Sequence, residues 1–201
     1  MAYQRKDYYY KKAKAEGKAS RAAYKLLQLN ERFRLVRKGM KTVDLGCAPG
    51  GWLIELCDLV GVSGRVIGID LQPLKIPLPS QATFVQGSID DTSMLGTIKE
   101  HLGNKAEVVV SDMAPKTSGV AFADAYRSYE LATLALEACE ILLIEEGSFI
   151  VKIFEGQEVQ AYRKALQATF EKVVNVTPPA TRKTSAETYF ICSGYNKARN
   201  A

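Results

Sequence analysis

A chain of 201 residues, 47% hydrophobic and 24% charged, holds enough apolar material for one buried core and contains no low-complexity stretch. No apolar run reaches the roughly 18 residues of a membrane span, and the N-terminus lacks a signal core, so a soluble, cytoplasmic protein is expected. The net charge is +5, yet within residues 1–25 Arg5, Lys6, Lys11, Lys12, Lys14, Lys18, Arg21 and Lys25 face only Asp7 and Glu16, so the rest is nearly neutral. Tyr8, Tyr9 and Tyr10 interrupt this basic stretch. Lysines interleaved with aromatics suit a phosphate backbone with stackable bases, whereas a solvated tail is the plainer alternative. Cys47, Cys57, Cys139 and Cys192 form no C-x-x-C pair, and His101 is the chain's one histidine. Buried thiols in a reducing compartment are expected, with neither a metal site nor a disulfide framework.

Along the chain, a helical stripe begins at Ser20, with Ala22, Leu26 and Leu29 on one line. Beyond Gly39, strand and helix alternate. The runs KTVDLG, RVIGIDL, TFVQG, AEVVVSDM, GSFIVKIF, KVVNVTP and ETYFICSGY read as strands, and helical patterns occupy 51–60, 91–102, 124–144 and 156–170. The strands are apolar throughout, as expected where helices cover both faces of a sheet. The pattern predicts an α/β fold: a doubly wound, mostly parallel seven-stranded sheet. TPPATRKTSA joins the last two strands without a helix, so the final strand is expected to run antiparallel.

The first strand enters a glycine-rich turn, VDLGCAPGGW, at the edge where such sheets bind ligands. It does not match G-x-G-x-x-G. A phosphate loop is excluded because Trp52 stands where the lysine belongs. S-adenosylmethionine fits better: it carries no phosphate and needs a close turn, helix-terminal amides for its carboxylate, and an acid for its ribose. Asp70, 20 residues after Gly50, is that acid.

FIVKIF is the oddest strand, because Lys152 interrupts an apolar run. A lysine there either snorkels from the strand's end or has partners. Asp112 ends another strand, Glu187 begins the last one at the same edge if that strand is antiparallel, and Lys25 sits on the basic helix free to fold over it. These four residues are expected to converge beside the methyl donor.

SRAAYKL, DLGCAPGGW, SDMAP, FIVKIF and SAETYF together resemble the FtsJ/RrmJ (RlmE) family of ribosomal RNA ribose 2′-O-methyltransferases, in order and over nearly the whole chain. The resemblance implies a Rossmann-like, S-adenosylmethionine-dependent methyltransferase domain over 1–201, with 1–38 a basic RNA-binding segment and helix. It places the catalytic lysine–aspartate–lysine–glutamate set on Lys25, Asp112, Lys152 and Glu187. Cofactor contacts fall on Gly50, Trp52, Asp70, Ser88 and Asp112. One departure concerns the adenine: the family usually has aspartate where this chain has Ser88, and Asp90 or Asp91 are alternatives. Lys152 is expected either to take the proton from a ribose 2′-hydroxyl or to orient that hydroxyl. A Pro-Cys nucleophile and an aromatic-bearing D/N-P-P-Y/F motif are both absent, which argues against base methylation. The implied partner is 23S ribosomal RNA in the 50S subunit, bound by a monomer that needs no metal. The alternatives are a tRNA ribose methyltransferase and a non-catalytic ribosome-assembly factor.

Overall fold

The computed structural model describes residues 8–16, 21–182 and 184–196. Among them the chain forms α1 (Tyr8–Ala15), α2 (Ala22–Phe33), β1 (Lys41–Leu45), α3 (Gly51–Val60), β2 (Arg65–Asp70), β3 (Ala82–Gln86) and α4 (Thr92–Leu102). It continues through β4 (Ala106–Ser111), α5 (Ala121–Leu142), β5 (Leu143–Phe154), α6 (Val159–Thr169), β6 (Phe170–Val176) and β7 (Glu187–Tyr195). The sheet order is β3-β2-β1-β4-β5-β7-β6. All neighbours pair in parallel except at β7, which runs antiparallel to both β5 and β6. The predicted class and the reversed last strand are both borne out.

Successive residues of a strand point to opposite faces, and here both faces are covered. On one side Leu26 and Leu29 of α2 and Leu53 and Leu56 of α3 meet Val66, Val110, Ile150 and Ile191. On the other, Ile98 of α4, Ala135 of α5 and Leu166 of α6 meet Val43, Ile69, Val109, Phe149 and Phe190. Full burial of a Leu, Ile or Phe side chain stabilises by about 1.5–3 kcal/mol, so a central strand gains from every residue when both faces are dry. That is why the strands carry apolar runs instead of alternation.

Some boundaries differ from expectation. The fifth helix begins at Ala121, because the Asp124 carboxylate accepts from Ser118 N (2.7 Å), Ser118 Oγ (2.8 Å) and Gly119 N (3.1 Å), folding the preceding loop onto the first turn. It ends at Leu142, and the strand that follows starts four residues early, at Leu143, with a register jump opposite Ala106–Val108. All four cysteines are free and buried. Burial raises the Cys57 thiol to about 12, so it stays protonated. No helix among the described residues is long and apolar enough to cross a membrane.

Of the basic segment, Arg5, Lys6 and Lys18 lie outside the described residues. Tyr9 ties α1 to α2: its ring lies 5.5 Å from that of Tyr24, and its hydroxyl accepts from Gln28 Nε2 at 3.1 Å.

Candidate active site

Chain order reverses between β1 and β4, whose right and left neighbours are wound in opposite directions. A crevice opens beyond the carboxyl ends of strands at such a switch point. Here it is a cleft of about 540 Å³, within the roughly 300–1,000 Å³ of small-molecule sites. Gly46 and Ala48 of the turn line it, together with Asp70, Ser88, Asp90 and Asp112.

The turn has this sequence for steric reasons. At Gly46 (φ 74°) a Cβ would come within 2.2 Å of Met113 Cγ. At Gly50 (φ 107°) it would meet Ile76 Cδ1 at the same 2.2 Å. The left-handed backbone favours glycine at both positions, and at Gly46 the Met113 stem leaves no room for a side chain. Asp70 locks the turn from the neighbouring strand, its Oδ2 accepting from Ala48 N at 2.9 Å and its Oδ1 from Gln72 N at 2.8 Å. Each oxygen keeps further accepting capacity, and Asp70 lines the cleft. α3 starts at Gly51 with no acid in its first turn and no side-chain cap, so its terminal amides remain suited to a carboxylate.

Ser88 and Asp90 line the cleft; Asp91 does not. Asp91 instead caps α4, accepting from Ser93 N at 2.9 Å and Ser93 Oγ at 2.7 Å. Those bonds hold its carboxyl below the usual range.

The Trp52 side chain is elsewhere. Its indole is 3% exposed and donates Nε1–H to Ala22 O at 2.8 Å, joining α3 to the start of α2. It stacks on Tyr189, ring centroids 6.0 Å apart. The indole therefore braces the lysine-bearing helix and does not line the cleft.

Lys25, Asp112, Lys152 and Glu187 converge. Lys152 Nζ lies 3.0 Å from Asp112 Oδ1 and donates to Asp112 O at 2.5 Å. Lys25 Nζ lies 2.5 Å from Glu187 Oε1. The register places Lys152 opposite Tyr189 and Phe154 opposite Glu187. Lys152, Tyr189 and Glu187 thus share the sheet face that α2 covers, where Lys25 reaches down from the helix. Both lysines are buried, so each ammonium depends on its carboxylate.

Sequence reasoning missed Tyr189. It is fully buried, donates its hydroxyl to Asp112 Oδ1 at 2.7 Å, and carries Lys25 Nζ 5.6 Å above its ring centroid. The available signal was spacing: Tyr189 lies two residues after Glu187 on the same strand, hence on the same face. Among the described residues no group of His, Cys, Asp and Glu is arranged to hold a metal.

A switch-point cleft with a ribose-type acid, beside a set of paired lysines and carboxylates, defines an enzyme of the Rossmann-like methyltransferase class. The chain belongs to the FtsJ-like methyltransferase family, whose model matches residues 19–195. It is 45% identical to a ribosomal RNA large subunit methyltransferase E of Methanothrix thermoacetophila, over 95% of this chain and 73% of that one. It is 42% identical to the protein of that name from Nitratidesulfovibrio vulgaris, over 94% of each. A solved ribosomal RNA methyltransferase of Plasmodium falciparum superposes with TM-score 0.77 at 29% identity, over 88% of this chain and 97% of that one. Aeropyrum pernix fibrillarin, solved with bound S-adenosyl-L-methionine, shares the fold at TM-score 0.59 and 16% identity, over 85% of this chain and 73% of that one.

Proposed function

We propose that the protein methylates a ribose 2′-hydroxyl of RNA, at a uridine of 23S ribosomal RNA in the 50S subunit, with S-adenosylmethionine as donor. The observation that carries this reading is the position of Asp112, which lines the cleft and grips Lys152 through both its carboxylate and its carbonyl.

The cleft's residues fit that cofactor. Asp70 would accept from its ribose hydroxyls, Ser88 from its adenine amino group, and the backbone at Gly50 and Trp52 would meet its methionine end. When bound, it supplies a methyl group on a cationic sulfur.

The protein's own part is to hold and activate the hydroxyl. Two of the three Lys152 N–H bonds are directed to Asp112, leaving the third for the acceptor oxygen. Through that bond Lys152 orients the hydroxyl; once it has released a proton to solvent, the two N–H bonds to Asp112 remain and the freed lone pair takes the hydroxyl proton as the methyl is transferred. Glu187, held by Lys25, fixes the ribose on the far side. Buried pairs of this kind add little stability over an apolar core, and removing one partner costs about 3–5 kcal/mol. Their retention is best explained by chemistry. A scaffold that only bound RNA has no need of two lysines in a dry face. The basic N-terminal segment would contact the RNA backbone.

The test uses radiolabelled S-adenosylmethionine, undermethylated 50S subunits and a Lys152→Ala variant, with label mapped by resistance of the modified linkage to alkaline cleavage. Ribose label with the wild type and almost none with the variant is the expected result. Label on tRNA but not on 50S would overturn the substrate, and label on neither would overturn the enzymatic reading.

A further inference from the structure

The first turns of α5 present aromatic rings to water at the sheet edge that holds Lys152 and Glu187. Among the described residues seven large hydrophobic side chains are exposed, and three of them fall within one short stretch: Val120 at 60%, Phe122 at 62% and Tyr126 at 45%. Phe122 and Tyr126 are four residues apart on the helix and therefore neighbours on one face. Their outward direction is set from beneath. Asp124, Ala125 and Ser128 are buried and fix the rotation of the helix. Ser128 Oγ accepts from Phe154 N at 3.0 Å, and a Cβ at Gly156 would come within 2.8 Å of Ala125 Cβ, so this part of α5 sits tightly on the end of β5. The preceding loop is fixed as well, through the Asp124 bonds and through Val120 N, which donates to Ser118 Oγ at 3.3 Å.

Apolar rings held rigidly in water carry a hydration cost that polar residues would avoid, and a cluster of them marks a contact. Its size restricts the partner. Three side chains fall far short of the roughly 800 Å² per partner of a stable protein interface. Glu130, exposed one turn beyond Tyr126, ends the apolar face. Flat rings on so small an area match a single nucleic-acid base, which offers a stacking face whatever its identity. The placement fits RNA too. Phe154, bonded to Ser128, pairs with Glu187 across the sheet, and Leu131 and Leu134 of the same helix line the cleft. Lys116 is exposed, lines the cleft, and lies midway along the chain between Asp112 and Val120, where it can meet a phosphate.

We propose that Phe122 and Tyr126 form a stacking platform for one unpaired base of the RNA strand that carries the acceptor ribose, with Lys116 on an adjoining phosphate. The proposal deepens the RNA reading and rests on it. A base held on α5 restrains the strand on one side of the site, while Lys152 and Glu187 restrain the ribose itself. Two points of attachment limit the rotation of the acceptor nucleotide more than one does, which keeps the 2′-oxygen near Lys152. Because stacking tolerates every base, the platform adds affinity for an unpaired strand without reading its sequence.

The experiment measures steady-state kinetics on undermethylated 50S subunits across a range of salt. It compares wild type with Phe122→Ala, Tyr126→Ala, Phe122→Trp, Phe122→Leu and Lys116→Gln. Each alanine variant is expected to raise KM for the subunit about tenfold and to leave KM for S-adenosylmethionine unchanged. The slope of log KM against log salt should stay as in wild type for both, because no charge is removed. Phe122→Trp should keep the wild-type KM, and Phe122→Leu, which retains apolar bulk without a ring face, should behave like Phe122→Ala. Lys116→Gln should flatten the slope by about 0.7, one phosphate contact. The Trp and Leu variants carry the test if an alanine variant fails to fold. Wild-type subunit KM in both alanine variants, with an active wild type, would overturn the platform alone. Wild-type KM in Phe122→Leu beside a raised one in Phe122→Ala would replace the base by an apolar contact with a ribosomal protein. A raised KM for S-adenosylmethionine would show that the rings serve the cofactor instead, and an unchanged slope in Lys116→Gln would overturn the phosphate contact. An inactive wild type on any RNA would overturn the underlying reading and this proposal with it.

Discussion

The Tyr189 hydroxyl donates to Asp112 Oδ1 at 2.7 Å, the same oxygen that lies 3.0 Å from Lys152 Nζ. Tyr189 therefore fixes the carboxylate that fixes the lysine, and it does so from a fully buried position. Burial and the nearby Asp112 and Glu187 carboxylates raise its phenol well above the ordinary value, so it remains a donor throughout the working pH range.

Tyr189→Phe keeps the ring that stacks on Trp52 and removes only the donor. A hydrogen bond to a charged group is worth about 1.5–3 kcal/mol. The expected result is a fall in kcat of about tenfold or more, with little change in cofactor KM. Steady-state kinetics check this, and an unchanged kcat would mean that Asp112 needs no such support.

Trp52 separates bracing from binding. Trp52→Phe loses the bond to Ala22 O and should destabilise the fold by about 2 kcal/mol in urea titration. Trp52→Ala should cost about 3–5 kcal/mol. For Trp52→Phe, kcat should fall as α2 loosens, with cofactor affinity nearly intact by calorimetry.

In the proposed reading Ser88, which lines the cleft, offers the adenine a neutral acceptor where a carboxylate would serve better. Ser88→Asp is expected to tighten binding of S-adenosylhomocysteine about fivefold, and Ser88→Ala to weaken it about threefold. Asp91→Ala should leave that affinity alone and lower stability by about 1 kcal/mol, the loss of a helix cap.

Asp44 predicts a pH effect. Both its oxygens are buried without a hydrogen-bond partner, and burial, followed by Asp112 and Asp70, raises its carboxyl well above the ordinary value. A raised acid favours folding while protonated, so its contribution is fully present below the unfolded value of about 4 and is lost as pH rises through the folded value. Asp44→Asn should therefore be more stable than wild type at pH 8, with the difference shrinking toward pH 4. Thermal unfolding at several pH values measures it; a constant difference would show that Asp44 is ionised in the fold.

Much of this was legible in the sequence, because its signals are local or periodic. The glycine turn, the seven apolar strands and the acid ending the second strand are read within a few residues. Lys152 stood out as a charge inside an apolar run. Tyr189 did not, because an aromatic in a strand looks like core, and its partner is set by a register that only the folded sheet defines. For the same reason Trp52, inside a recognised motif, gave no sign that its indole turns away from the cleft. Asp91 and Ser88 are three residues apart, and only the start of α4 decides which lines the cleft.

Arg21 meets the carbonyl of Ala180 across 159 positions of sequence, and Lys25 meets Glu187 on the same seam. The cofactor cleft, by contrast, is complete once the chain has passed α5. A nascent chain emerging from the ribosome thus has the makings of the proposed donor pocket long before it has the proposed acceptor seat. Closing so long a loop is entropically late. Competence to transfer a methyl group therefore arrives with the last strand, and catalytic activity is itself a readout that both ends of the described fold have found each other.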